Sequence, residues 1–183
     1  MPALWFQFKY WRPSMPGGGN AVRTAPVVCV VGRSKSGRTT LIEKLIRELK
    51  RRGYRVGTVK HHSHPGFEVD QPGKDTWRHA QAGSDHVVIA APDKVASIRR
   101  VEHESTLDAI TATMTDVDVI LTEGYLRSGR HRIEVVRAAR SREPICGPEE
   151  LLAWATDVPL PSGAPQFALD DAAGLVNLIE GLL

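Results

Sequence analysis

The sequence predicts an α/β fold of three layers, with a mostly parallel sheet between two layers of helix. Three observations carry that prediction. Apolar, β-branched runs of strand length alternate with segments of helical periodicity. A glycine-bearing polar loop joins the first such strand to the first helix. The runs at 27–31 and 117–122 are apolar almost throughout, as expected of strands buried on both faces. At 183 residues, 42% hydrophobic and 25% charged, the chain suffices for one domain with its own core.

The first 26 residues stand apart. They open on Trp5, Phe6, Phe8, Tyr10 and Trp11, then pass into Pro13, Pro16, Gly17, Gly18, Gly19 and Pro26. The apolar stretch is too short for a secretory signal and lacks a basic start. A flexible tail is expected, with an arm that docks on a partner subunit as the alternative. The domain proper, 27–183, begins with a strand at Val27 to Val31. Thr39 to Arg52 follows as a helix, with Leu41, Ile42, Leu45, Ile46 and Leu49 on one stripe. Lys50, Arg51 and Arg52 crowd its last turn, where cations suit the helix dipole, so they read as a helix end and not as a binding patch. Tyr54 to Val59 reads as a strand, Asp75 to Gly83 as a short helix, and His86 to Ala91 with Val95 to Val101 as a hairpin. Ser105 to Thr115 reads as a helix, Val117 to Thr122 as a core strand interrupted by Asp118, and Arg132 to Val136 as another strand. Phe167 to Leu169 leads into a terminal helix capped by Asp170 or Asp171.

Composition excludes several classes. The formal charge of +3 comes from Lys9, Arg12 and Arg23, because the remainder has 21 basic and 21 acidic residues. That balance gives no basic surface for nucleic acid. No apolar run approaches the ~18–20 residues needed to span a bilayer. Cys29 and Cys146 are too few for a disulfide framework and suit a reducing cytoplasm, Cys29 as a small buried hydrophobe.

Ligands of open α/β sheets bind at the carboxyl ends of the strands, where three polar stretches fall. The first runs Gly32-Arg33-Ser34-Lys35-Ser36-Gly37-Arg38-Thr39-Thr40. It matches the phosphate loop G-x-x-x-x-G-K-S/T at every fixed place except the lysine, where Arg38 stands. Gly32 and Gly37 let successive N–H groups converge on a phosphate, with Ser34, Lys35 and Ser36 between them and Thr39 offering its hydroxyl to Mg²⁺. Arg38 is a wider, planar cation, which questions hydrolysis more than binding. The second stretch, Lys60 to Asp75, holds His61, His62 and His64. One short loop without cysteine rarely closes a tetrahedral zinc site, so a polar lid or ligand loop carrying Lys60, His61, His62, Lys74 and Asp75 is expected, with Asp70 the acid best placed to reach a metal. The third, Val117 to Tyr125, ends a buried strand on Glu123 and Gly124, and Glu123 is the candidate anchor for the magnesium of a nucleotide. No residue is singled out as catalytic. Beyond it Arg127, Arg130, Arg132, Arg137, Arg140 and Arg142 face a single acid, Glu134, and read either as a grip on a phosphorylated or acidic partner or as a solvated surface.

Five segments in order and spacing resemble the MobB family. They are the phosphate loop, Thr58 to His62, Asp70 to His79 with Ala82-Gly83, Thr122 to Tyr125, and Arg132 to Arg137. The K-H-x-x-H and P-G-K-D elements are more specific than the phosphate loop alone. The resemblance spans about Val27 to Arg137 and implies a P-loop NTPase-like fold that binds GTP with Mg²⁺. It also implies a cytoplasmic homodimer that assists the guanylyltransferase attaching GMP to molybdopterin, with molybdopterin itself as a further bound ligand. Two places depart from the family: Arg38 replaces its lysine, and Leu126 stands where a lysine commonly follows E-G-F/Y. At most weak GTPase activity is therefore expected. No N-K-x-D motif chooses guanine over adenine. The competing readings are a metal-delivery GTPase, which usually has a histidine-rich terminus that is not seen here, and a small ATP-dependent P-loop enzyme, which needs the missing lysine.

Overall fold

The computed structural model describes residues 24–62, 64 and 66–183, so the aromatic tail expected before the domain lies almost wholly outside the described residues. The elements in chain order are β1 Val27–Val31, α1 Arg38–Arg51, β2 Val56–Lys60, α2 Asp75–Gln81, β3 His86–Ala91, β4 Lys94–Arg99, α3 Leu107–Thr111, β5 Val119–Glu123, β6 His131–Val136, β7 Ala153–Thr156, β8 Gln166–Phe167 and α4 Ala172–Glu180. A 3-10 turn at Pro148–Glu150 precedes β7.

Six strands form one sheet in the order β2-β5-β1-β6-β7-β8, and every pairing in it is parallel. Successive strand residues face opposite sides, so β1 divides its side chains between two cores. Val28 and Val30 join Leu121, Ile133 and Val135 beneath Leu41, Leu45 and Leu49 of α1 and Leu175 and Ile179 of α4. Val27, Cys29 and Val31 face the other way, against Ile120, Leu107 of α3 and Cys146. Both cysteines are buried and free. Burial pushes the Cys146 thiol up to about 12, so it is an inert neutral group. The apolar character of β1 and of Val119 to Leu121 in β5 is thus the direct consequence of a sheet covered on both faces.

Charged residues fasten the far end of the sheet. The Asp118 carboxylate accepts bonds from the Arg55 backbone N–H at 2.7 Å and from its guanidinium at 2.7 and 3.2 Å, and this guanidinium holds Asp118 below the usual carboxylate range. The one acid in the 117–122 run is therefore a staple that sets β2 beside β5. The basic end of α1 is likewise structural. Arg51 bonds Glu48, while Arg52 bonds Glu48, Asn177, Glu180 and the Ala173 carbonyl, tying α1 to α4. Asp171 caps α4 by accepting from Gly174 N–H at 2.8 Å.

The structure differs from expectation in three places. α3 is confined to Leu107–Thr111, well short of the expected 105–115, because Leu107 is its one buried residue. β7 was not foreseen: Ala153 and Ala155 are poor strand formers, and only their complete burial between β6 and β8 selects that conformation. The β3–β4 hairpin forms as expected, with Ala91 opposite Lys94 across a two-residue turn, but as a separate two-stranded sheet.

Candidate functional site

Loop 32–40 leaves β1 and enters α1. At Gly32, φ is 139° and a Cβ would sit 2.6 Å from the Val135 carbonyl oxygen, so only glycine fits. Gly37, with φ 103°, is the N-cap of α1 and offers no side-chain cap. The first N–H groups of α1 are thereby left to whatever occupies the loop. The Ser36 side chain is buried, and its hydroxyl has no hydrogen-bond partner among the described residues. An anion in the loop would supply what both lack.

The parallel register sets Glu123, the last residue of β5, opposite Val30, which brings its carboxylate to the foot of α1. Thr39 Oγ1 donates to Glu123 Oε2 at 2.8 Å. The Lys60 ammonium lies 3.7 Å from that carboxylate and the Arg38 guanidinium 3.9 Å from it. Thr39 with its neighbour Arg38, Lys60 and Glu123 are thus gathered from three places in the chain. The Thr39 hydroxyl and the Glu123 carboxylate, hard oxygens beside a cradle of N–H groups, are a donor set that fits Mg²⁺ when phosphate and water complete the shell.

The loop after β2 is divided. His61 belongs to the site: its backbone N–H donates to the Glu123 carbonyl, its Nε2 lies 2.8 Å from Glu104 Oε1, and its ring stands 4.9 Å from that of Tyr125. His62 turns away, its ring 5.9 Å from Phe67 and 6.0 Å from His64. Among the described residues no group of three or more His, Cys, Asp or Glu side chains is placed to hold a metal ion. Asp70 is placed elsewhere than beside Thr39. Its carboxylate accepts from the Gln71 N–H at 2.8 Å, and it lines a 350 Å³ cavity with Phe67, Trp77 of α2 and Ile98 of β4. Phe67 and Val69 line the same cavity while remaining largely exposed, so segment 66–70 lies beside α2 and the hairpin and not at the foot of α1. Lys74 and Asp75 are exposed at the start of α2, where Asp75 pairs with Arg78 at 4.0 Å.

The arginines of 127–142 do not act as one group. Arg130 pairs with Asp108, and Arg132 with Glu150 at 3.0 Å. Arg137 lines a 140 Å³ hollow with Ser36, Thr40 and Lys44. Arg140 donates to the Ser34 carbonyl at 2.8 Å, inside the glycine loop, and Arg33 reaches back to the Glu143 carbonyl. Behind this cross-brace lies Glu134, 1% exposed. Its carboxylate accepts from the N–H groups of Ile145 at 2.6 Å and Cys146 at 3.1 Å and from the Trp154 indole at 3.3 Å.

The sequence and the fold have known counterparts. The model of the family described as molybdopterin guanine dinucleotide synthesis protein B, MobB, matches residues 27–157. The chain belongs to the MobB family. It is 33% identical over 160 residues to the molybdopterin-guanine dinucleotide biosynthesis adapter protein of Haemophilus influenzae, covering 86% of this chain and 89% of that one. The Escherichia coli protein of the same description is 31% identical, covering 84% and 91% respectively. A solved structure, titled crystal structure of molybdopterin-guanine biosynthesis protein B (mobB), superposes with a TM-score of 0.66 at 34% identity, over 86% of this chain and 99% of that one. The MobB fold therefore includes the six-stranded parallel sheet that carries loop 32–40. Among the described residues no helix is long and apolar enough to cross a membrane.

Sequence reasoning missed two charged residues in and behind this candidate site. Glu104 lies 43 residues from His61 and carries no local signal. Glu134 did carry one, since an acid inside the apolar run Ile133 to Val136 requires buried donors.

Proposed function

We propose that this MobB-family chain holds the phosphate tail of GTP on loop 32–40 and serves in the cytoplasm as an adapter for the guanylyltransferase that builds molybdopterin guanine dinucleotide, with little or no hydrolysis of its own. The observation that carries the reading is the Thr39–Glu123 contact of 2.8 Å at the foot of a helix whose N-terminus has no side-chain cap. Backbone N–H groups and the Ser36 hydroxyl bind phosphate oxygens, and Thr39 with Glu123 holds Mg²⁺ against the tail. The adapter role is the one named for the Haemophilus and Escherichia relatives, and GTP is the nucleotide that the resemblance implies. Calorimetric titration with GTP and ATP, with and without Mg²⁺, tests it. Saturable binding of GTP is expected, with its Mg²⁺ dependence reduced in Thr39→Ala. Absence of nucleotide binding to the full chain rejects the reading. A metal-delivery role has less support, because His61 and His62 face different neighbours.

The adapter is also proposed to be a homodimer joined through the β3–β4 hairpin. Val88, Ile89 and Val95 are 53%, 56% and 68% exposed on a ribbon whose outer strand edges pair with no other strand among the described residues. Exposed apolar ribbons with free edges are costly to leave in water, and a second copy satisfies both the side chains and the edges.

A further inference from the structure

Beside the glycine loop, on the α3 side of the sheet, lies a cleft of 790 Å³ that meets the nucleotide reading only at Gly32 and Arg38. Its walls come from loop 32–40 (Gly32, Arg38), the end of β2 (His61), the start of α3 (Thr106, Leu107) and the turn after β5 (Gly124 to Ser128), with Ile145 closing one side. A volume of that order suits a small molecule, where sites of about 300–1,000 Å³ are usual.

The lining is specific about chemistry. The Tyr125 and His61 rings, 4.9 Å apart and tilted by 40°, form an aromatic wall facing apolar Leu107 and Ile145. Two guanidinium groups, Arg38 and Arg127, reach the same space, and its one acid, Glu104, is already engaged by His61. Tyr125 also holds φ at 59°, a left-handed conformation that is a rarity for a bulky side chain and clusters at ligand sites. A flat ring with an attached anion meets each of these features.

We infer that this cleft is a second ligand site, taking a flat heterocycle that carries a phosphate monoester, and that Arg38 is shared between it and the nucleotide. The inference rests on the nucleotide reading only for Arg38's second partner. β1 has β5 on one side and β6 on the other. The hollow with Thr40, Lys44 and Arg137 lies on the β6 side, whereas Glu123 and the cleft lie on the β5 side. A nucleotide whose terminal phosphate is at Thr39 and Glu123 extends toward Arg137, so the cleft faces the opposite end of its tail. Arg38 stands at that junction. A lysine presents one compact charge, whereas a guanidinium donates along several in-plane directions at once. It can therefore contact the terminal phosphate with one edge and the monoester of the second ligand with the other. The arginine that departs from the phosphate-loop pattern acquires a reason. For a family described by molybdopterin guanine dinucleotide synthesis, the matching class of second ligand is a pterin phosphate.

Neopterin monophosphate, a fluorescent pterin with a phosphomonoester, is the probe. Fluorescence anisotropy with the full chain is expected to show saturable binding, weaker by at least tenfold for neopterin itself. Tyr125→Asn removes the ring but tolerates positive φ, and Arg127→Ala removes the outer cation. Each is expected to weaken probe binding at least tenfold while GTP affinity stays within twofold. Tyr125→Phe retains binding, and Arg38→Lys weakens it severalfold. No saturable binding up to 1 mM, binding indifferent to both Tyr125→Asn and Arg127→Ala, or displacement of the probe by GTP overturns the inference. Probe binding to a chain that takes no nucleotide leaves the cleft standing and rejects the nucleotide reading instead.

Discussion

Arg38 concentrates the residue-scale questions. In the lysine place of a phosphate loop, a slim ammonium follows charge as it builds on the terminal phosphate, whereas a guanidinium neutralises charge without that mobility. The Arg38 side chain already leans toward Glu123, at 3.9 Å. On the proposed reading, in which backbone N–H groups hold most of the phosphate, Arg38→Lys is expected to change GTP affinity by less than about tenfold, or about 1.4 kcal/mol. Any turnover should rise. A steady-state phosphate-release assay checks this, and ready hydrolysis by the unaltered chain that slows in Arg38→Lys contradicts it. Gly32 is less forgiving, since a Cβ 2.6 Å from the Val135 carbonyl has nowhere to go. Gly32→Ala is expected to lower stability by about 2 kcal/mol and to abolish nucleotide binding, read by denaturant unfolding and calorimetry. Gly37 has open space at its Cβ position. The barrier to a side chain there is its φ of 103° and the ligand's own approach.

Among elements, the loop from β6 to β7 depends on one buried carboxylate. Glu134→Ala leaves the N–H groups of Ile145 and Cys146 and the Trp154 indole without their acceptor, and is expected to cost about 3 kcal/mol by urea unfolding. Glu134→Gln keeps one oxygen and should lose less. The α1–α4 contact carries a pH dependence. Bonds from Arg51 and then Arg52 hold the Glu48 carboxyl down from 4.5 to about 2. Its contribution is therefore fully present above about pH 4.5 and is lost as pH falls from there toward 2. Asp118, lowered by Arg55, acts in the same direction. Thermal melts from pH 6 to pH 2.5 should show the unaltered chain and Glu48→Gln converging in acid. These elements also mark what was legible from residues alone. β1 and β3 were bounded as found and α1 shifted by one residue, because their apolar periodicity is strong. β7 escaped because its alanines take their strand conformation from burial between neighbours. Thr39 and Glu123 could be singled out in the chain, but their 2.8 Å contact depends on β5 pairing with β1, which no local pattern encodes. Asp70, a less secure candidate than Glu123 from the sequence, lies beside α2 and β4, a placement that no local pattern of its loop encodes.

For the whole molecule, the proposed dimer rests on the hairpin. Light scattering at micromolar concentration should give twice the chain mass, and charges introduced by Ile89→Lys with Val95→Lys should halve it while leaving the main sheet folded. A monomer mass for the unaltered chain contradicts the dimer. The order β2-β5-β1-β6 also imposes a timetable. β1 pairs with β5 and β6, Val27 lying opposite Ile120 and Val28 opposite His131, and β2 pairs within the sheet only with β5. Val27 must wait for Ile120, 93 residues further on, and Val56 for Val119, 63 residues further on, so the closures that bring the two early strands into the sheet span long loops. The β3–β4 ribbon needs only its own two-residue turn and can form first. A nascent chain exposed as far as residue 110 should therefore contain the hairpin but no protease-resistant sheet, and protection should appear only once β5 and β6 have also left the ribosome. Until then β1 and β2, apolar and unpaired, are the segments a chaperone would have to cover.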